Sequence, residues 1–498
     1  MDENTIFKGL QNQPPTEPIS PQPGGSVSGL QANPQFQSQA AIVPPSPPPQ
    51  APTAVATPPP EDLNSPKKGI GFKKIMALLI GLIVVGLIAF AIYSIIPKFQ
   101  TGKNQKVTLE YWGLWEDSRV MSSTISDFER ANPNITVNYT KQDPNQYREK
   151  LTSRINNGTG PDIFRYHNTW PVMLSSYLLP LPTDTISPAD FKNWFYPVAQ
   201  QDLVKNGAIY GIPLEIDTIA LYINTDLFKD AGVNPPENWE DFPNVAAALT
   251  VKDSSGKIKT AGAALGTSNN ITHAPDIMSI LFAQNGVDLK NIQSNPVNLS
   301  QALQYYTSYA QGDGQIWDKN QDSSILAFSK GNLAMYFGYS WDYFTIKALN
   351  PNLNFKIVRV PKLAGRDLTI ASYWVEGVSV KSKHQKEALL FMKYLAQKET
   401  EQKLYSEESK TRLFGEPYAR VDLADTLKDN QAVYPFVAQA PNATSTYFVD
   451  STYDKGLNDD LDSYLNTAID SILNNTSPDS AADTLSKGFV QVLQQYGK

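Results

Sequence analysis

The chain contains no cysteine among its 498 residues and only three histidines. The first absence excludes disulfide staples, thiol nucleophiles and thiolate metal ligands, and removes the residue through which a chain could be lipid-anchored. The histidines, His167, His273 and His384, lie far apart and fit no zinc-ligand spacing. Positive charge is short as well. Lys and Arg number 42 against 49 Asp and Glu, a net charge of −7, which argues against a nucleic-acid surface. No glycine-rich phosphate cradle is present. Asp318-x-Asn320-x-Asp322 opens like a calcium loop, yet Ser323 stands where the turn glycine belongs and Ser329 where the bidentate glutamate belongs. Neither a metal nor a cofactor is expected.

What is present is unevenly distributed. Ile75 to Ile96 is 22 residues without a charge. At 1.5 Å rise per residue it would reach ~33 Å, enough to cross a bilayer core. A cleaved signal peptide is the rival reading, through Ala89-Phe90-Ala91. That match lies inside the apolar run, however, and signal h-regions are shorter and sit nearer the N-terminus. Lys67, Lys68, Lys73 and Lys74 crowd one flank, while Lys98, Lys103 and Lys106 are spread along the other. Positive charge favours the cytoplasmic side, so a single-pass protein with its N-terminus inside and its large part outside is expected. Residues 1–74 hold 16 of the 37 prolines. Such a segment buries too little apolar surface to offset ordering, and a disordered, polyproline-rich cytoplasmic tail is expected. Residues 97–106 would be a linker.

Residues 107–498 exceed what one hydrophobic core usually serves, so two lobes are anticipated. Val107 to Tyr111 reads as a strand, Val120 to Ala131 as a helix stopped at Asn132-Pro133, and Ile135 to Tyr139 as a second strand. A helix from Tyr147 to Ile155 precedes a third strand opening at Asp162. This alternation indicates an α/β domain with a parallel sheet. Leu333 to Phe337, Ala261 to Gly266 and Val375 to Val380 read as later strands. Ser187-Pro188 and Ser477-Pro478 look like N-cap and N1 pairs.

In an open parallel sheet, ligands bind beyond the C-terminal ends of the strands. Candidate ligand-binding residues are therefore Trp112, Trp115, Glu116 and Asp117 after the first strand, Gln142 after the second, and Arg165, Tyr166 and His167 at the third. Asn269, Tyr339, Trp341, Tyr373, Trp374 and Glu376 hold comparable positions later. Aromatic faces beside carboxylates and amides suit a sugar, whose C–H faces pack on rings while its hydroxyls need paired donors and acceptors. Core packing is the bland alternative for each tryptophan. Trp194 and Trp239 fall in helical stretches and are assigned to packing.

Several segments, in this order, give the chain a family likeness: Phe128-Glu129-Arg130-Ala131-Asn132-Pro133, Gly160-Pro161-Asp162-Ile163, Gly207-Ala208-Ile209-Tyr210-Gly211-Ile212-Pro213, Tyr222-Ile223-Asn224-Thr225-Asp226-Leu227-Phe228, and Ala327-Phe328-Ser329-Lys330-Gly331. The chain resembles the extracellular solute-binding proteins of family 1, the maltose-binding-protein-like group, over nearly all of residues 105–498. The resemblance implies a two-lobed, periplasmic-binding-protein-like (type II) α/β fold with a hinge and central cleft, and delivery of a solute to the permease subunits of an ATP-binding-cassette importer. By position it implies lobes of about residues 107–214 with 340–397, and 218–338 with 398–498. It places Glu215 or Asp217 at the cleft floor and Arg412 as a second-lobe candidate. Family members are usually secreted or lipid-anchored, so a spanning helix departs from the pattern.

Two other functions compete. A sensory module read by a partner membrane protein would use the same ligand-dependent closure. A glycoside hydrolase would need two carboxylates ~5–9.5 Å apart across the scissile bond. Glu215 and Asp217 could supply them only if the structure separates them so, and acidic residues in a cleft serve equally as hydroxyl acceptors. A non-enzymatic, membrane-anchored carbohydrate-binding protein is the expectation.

Overall fold

The computed structural model describes residues 106–497 and four isolated helical positions, 76, 83, 84 and 86. The expected tail, spanning helix and linker otherwise lie outside these residues. No helix among the described residues is long and apolar enough to cross a membrane. Residues 106–497 fall in one compact unit, which is described below.

The first strand, Val107–Gly113, alternates its burial and sends Leu109 and Tyr111 into the core. It runs parallel to Ile135–Lys141 over seven paired residues and parallel to Ile163–His167 on its other side. The helix Ser118–Ala131 covers this sheet. Its buried Val120, Met121, Thr124, Ile125 and Phe128 recur at helical spacing. The chain then leaves the helix at Asn132, as the following proline requires. Two further strands complete the sheet: Trp374–Val378 pairs antiparallel with Ile163–His167, and Ile212–Pro213 pairs antiparallel with Trp374–Val378. The sheet is therefore mixed, where the sequence pattern suggested a parallel one. The difference arises because Trp374–Val378 returns from a distant part of the chain.

A second five-stranded sheet orders Phe355–Val358, Ala220–Asn224, Leu333–Gly338, Ile258–Ala263 and Val251–Lys252. Only Ile258–Ala263 and Leu333–Gly338 pair in parallel. Each sheet has its own core. One gathers residues between Leu109 and Ile216 with others between Ala371 and Ala443. The other gathers Ile219 to Ile370 with Phe436, Phe448 and the faces of the helices Leu457–Leu473 and Pro478–Gln495. The anticipated N-caps form: the Ser187 and Ser477 hydroxyls accept from the amides of Asp190 and Ser480.

Three short strands, Asp217–Thr218, Thr369–Ser372 and Ala443–Thr444, pair in one small sheet where the chain passes between the cores. These crossings shift the lobe boundaries from those the resemblance implied. Ile346, Leu353, Ile357 and Val360 pack in the second core, because the return crossing comes at Thr369–Ser372 and not near residue 340. Leu404, Phe414, Tyr418, Leu423 and Val433 pack in the first, because the chain stays there until the third crossing.

Candidate functional site

The candidate residues separate by burial into those tied to internal partners and those that present a face. Arg165 is 2 % exposed and binds two carboxylates, Glu116 through Nη1 at 2.6 Å and Glu376 through Nη2 at 2.6 Å. Burial opposes the charge on the guanidinium, but Glu116 and Glu376 more than offset it and raise its pKa. Burial also raises Glu116, yet the Arg165 charge wins and holds that carboxyl below its usual range, whereas burial prevails at Glu376. This trio ties the turn after the first strand to the third and fourth strands of the sheet, while one Glu376 carboxylate oxygen stays buried without a hydrogen-bond partner. Arg412 is similarly engaged, with Glu408 at 3.0 Å and Glu416 at 2.6 Å and its guanidinium 5.4 Å from the Phe344 ring centre.

Several other candidates also face inward. Tyr166 is fully buried, with its hydroxyl donating to the Tyr210 carbonyl. The His167 ring bonds Thr169 and Ser372, and burial lowers its pKa to about 3, so it is neutral. The Tyr373 hydroxyl donates to Asp202 at 2.8 Å. Gln142 accepts from Lys150 at 2.6 Å. Glu215 is buried beside Glu416, and both effects push its carboxyl well up. Asp217 accepts the Ser340 amide at 2.8 Å, so a hinge carboxylate fixes the turn carrying Tyr339 and Trp341. Asp117 and Asn269 are exposed, and Asp117 pairs with Lys141 at 3.2 Å.

The aromatics that keep a partly open face come from both cores. On the first, Trp115 lies edge-on to Trp374 with ring centres 5.3 Å apart, and Trp374 in turn meets His167 and Trp170 edge-on. Trp112 is also half-buried, with the Lys150 ammonium 5.1 Å from its ring. On the second core, half-buried Trp341 stacks on Tyr339 at 4.4 Å and 16°. That pair rests against His273, whose Nδ1 and Nε2 lie 2.7 Å and 2.9 Å from Asp450 and Asp342. Burial would strip the imidazolium of its proton, but the two carboxylates prevail and keep it charged. The Tyr339 hydroxyl donates to Asp276 at 2.6 Å.

A loop unforeseen in the sequence joins the two faces. Tyr453, half-buried, has its ring centre 5.9 Å from that of Trp115. Arg148 of the first core donates to the Asp454 and Lys455 carbonyls, and the Thr169 hydroxyl donates to Asn458 at 2.8 Å. Ser451, Tyr453 and Lys455 all hold positive φ, a conformation that L-residues adopt at a cost and that concentrates at functional sites. Such a loop has no periodicity to reveal it, and His273, Asp276 and Asp450 are too scattered in sequence to suggest a cluster.

His273, Asp276 and Asp450 bring ligand atoms within 4.8 Å of one another. The set does not suit a metal, because both imidazole nitrogens already serve carboxylates and none offers a free lone pair. The arrangement can instead present rings and polar edges to a polyhydroxylated solute. A cavity of about 670 Å³ lies elsewhere between the two cores, beside Asn168, Asp202, Lys290 and Tyr447, and shares none of the candidate aromatics.

Residues 123–433 match the model of the bacterial extracellular solute-binding protein family. The chain belongs to that family. It is 25% identical over 341 residues to the multiple sugar-binding protein of Streptococcus mutans, spanning 62% of this chain and 75% of that one. It is 24% identical over 255 residues to the maltodextrin-binding protein of Bacillus subtilis, spanning 49% and 57%. Among solved structures, a cyclo/maltodextrin-binding protein complexed with maltotetraose superposes with a TM-score of 0.65, at 18% identity, over 79% of this chain and 98% of that one. The sugar-binding protein of Xanthomonas citri gives 0.63 at 19% identity over 78% and 98%. The solute-binding domain thus has the two-lobed type II periplasmic-binding-protein fold.

Proposed function

We propose that this solute-binding protein captures a carbohydrate, an oligosaccharide in particular, between its two cores, and hands it to the permease subunits of an ATP-binding-cassette importer without chemical turnover. The observation that carries the reading is the half-buried rings from both cores and the loop that joins them, Trp115 beside Tyr453, and Trp341 stacked on the buried Tyr339. Rings so placed pack on sugar C–H faces, and the surrounding amides and carboxylates suit hydroxyls. The named binding activities of the Streptococcus and Bacillus relatives support the same ligand class. Residues 75–96 would tether the domain outside the membrane with the tail inside, raising its effective concentration near a permease.

A thermal-shift screen of the full chain tests this against mono- and oligosaccharides, with amino acids, polyamines and phosphate esters as controls. Sugars should raise the unfolding midpoint. A response confined to another class would overturn the ligand reading, and release of shorter sugars on incubation would overturn the non-enzymatic one.

A further inference from the structure

The loop that follows Phe448 is rooted in one core and fastened by the other. Phe448 packs in the second core, where Ser279 donates to its carbonyl. Asp450 is held there by His273 and, through its own amide, by Asp276. Beyond Asp450 the chain meets the first core. The guanidinium of Arg148, on the helix Tyr147–Asn156, donates to the carbonyls of Asp454 and Lys455. Those acceptors are main chain, so Arg148 grips the path of the loop and not the identity of its side chains. The Asp454 carboxylate accepts the amides of Gly456, Asn458 and Asp459, which fixes the step into the helix Leu457–Leu473. Ser451, Tyr453 and Lys455 hold φ values of 58°, 55° and 44°. Such a conformation persists only where its surroundings over-determine it, and part of what determines it here belongs to the opposite core.

A second tie leads to the hinge. Thr169 has one hydroxyl proton and gives it to Oδ1 of the buried Asn458 at 2.8 Å. The 2.8 Å contact between that hydroxyl and His167 Nδ1 is therefore donated by Nδ1–H, which leaves Nε2 to accept from the Ser372 hydroxyl at 3.0 Å. The Thr169 amide, 3.4 Å from Nδ1, is too distant to compete. The same ring meets Trp374 edge-on. Ser372 ends the crossing strand Thr369–Ser372 and pairs with Asp217. Ser372, His167, Thr169 and Asn458 thus form one directed chain from the hinge, past a ring of the candidate site, to the loop. Asn458 stands beside Leu457 of the second core and Thr169 beside Trp170 of the first. Parting the cores must break this chain, free Arg148 and carry Tyr453 away from Trp115.

We propose that this loop is a closure clasp: Arg148 and Thr169 are positioning residues that fasten residues 451–458 across the two cores, and so bring the Tyr453 ring beside Trp115 only when the lobes are shut. The clasp serves the capture proposed above but rests on the two-lobed fold, so its test needs no sugar and a failed sugar screen would leave it standing. Deleting the Thr169 hydroxyl strips Asn458 of a partner in the shut form, whereas water supplies one once the cores part, so the cost falls on closure. The cysteine-free chain allows nitroxide labels at Ser153→Cys and Ser463→Cys, exposed positions on one helix of each core, to report lobe separation by double electron–electron resonance in the full chain. Arg148→Met and Thr169→Val should each move at least threefold more of the population to longer separations, and Thr169→Ser should match the parent. In the same two variants, hydrogen–deuterium exchange should quicken at least tenfold at Gly456, Asn458 and Asp459 and stay within twofold in the strands Val107–Gly113 and Leu333–Gly338, as local release demands. Separations unchanged in both variants would overturn the clasp. So would exchange quickened evenly through both cores, which marks lost overall stability, or longer separations with the loop amides unaffected.

Discussion

At the scale of single residues, the structure divides the charged and aromatic candidates by what they already touch. Arg165 has the composition of a ligand contact but is committed to Glu116 and Glu376. Removing one member of a buried ionic set leaves uncompensated charge, so Arg165→Met should destabilise the domain by about 3–5 kcal/mol in urea unfolding. A loss confined to solute affinity, with stability unchanged, would contradict this structural role. Glu408 makes a second residue-level prediction. Burial pushes its carboxyl up to about 8, despite Arg412, and Asp276 is raised to about 8 in the same sense. The folded state therefore holds protons that the unfolded state has lost above a pKa of about 4. That stability is full below the unfolded pKa and disappears as pH rises through about 8. The unfolding midpoint should fall between pH 5 and 8, and Glu408→Gln should flatten the fall. The depressed carboxyls of Glu116 and Asp450 act in the opposite sense, only at pH below the ordinary carboxylate range.

At the scale of elements, local pattern was a good guide and long-range connection was not. Val107–Gly113, Ile135–Lys141 and the helix Ser118–Ala131 each announce themselves by alternation or by helical spacing, and Ser187 and Ser477 by their cap chemistry. The crossings at Thr369–Ser372 and Ala443–Thr444 have no such signature. Two- to four-residue strands are too short to show a period, so the division of residues 340–443 between the cores was misplaced. For the candidate site, the sequence singles out the rings at Trp115, Tyr339, Trp341 and Trp374, which the structure arranges in ring-to-ring contacts. The sequence could not reveal that Arg165, Glu376 and Tyr373 bond to one another or to buried groups inside the protein, because partners such as Asp202 lie far away in the chain. Tyr453 was missed for the same reason. One helix pair offers a sharp packing test. A Cβ on Gly488 would approach the Tyr464 ring within 2.3 Å where helices Leu457–Leu473 and Pro478–Gln495 pack. Gly488→Ala should cost about 1–3 kcal/mol through overpacking, despite alanine's better helix propensity, read as a lowered thermal midpoint. A raised midpoint would show that the ring yields freely.

At the scale of the whole molecule, the fold is two cores with separate sheets, joined through one small three-stranded sheet, and the loop from Ser451 to Asn458 reaches from one core to the other. Ligand binding between such cores couples affinity to their closure, since only a contact that differs between open and closed forms can shift that balance. The proposed anchor adds orientation. Protease added outside intact cells should remove the solute-binding domain and spare a fragment containing residues 1–74; protection of the domain would reverse the topology. The central claim is that the rings on the two faces hold the solute. Calorimetric titration of a responding oligosaccharide into the full-length wild type, Trp115→Ala and Trp341→Ala tests it most directly. The account predicts saturable binding at one site per chain, weakened at least tenfold by either substitution with the thermal midpoint of the free protein little changed. Undiminished affinity in both variants would place the solute elsewhere and contradict it.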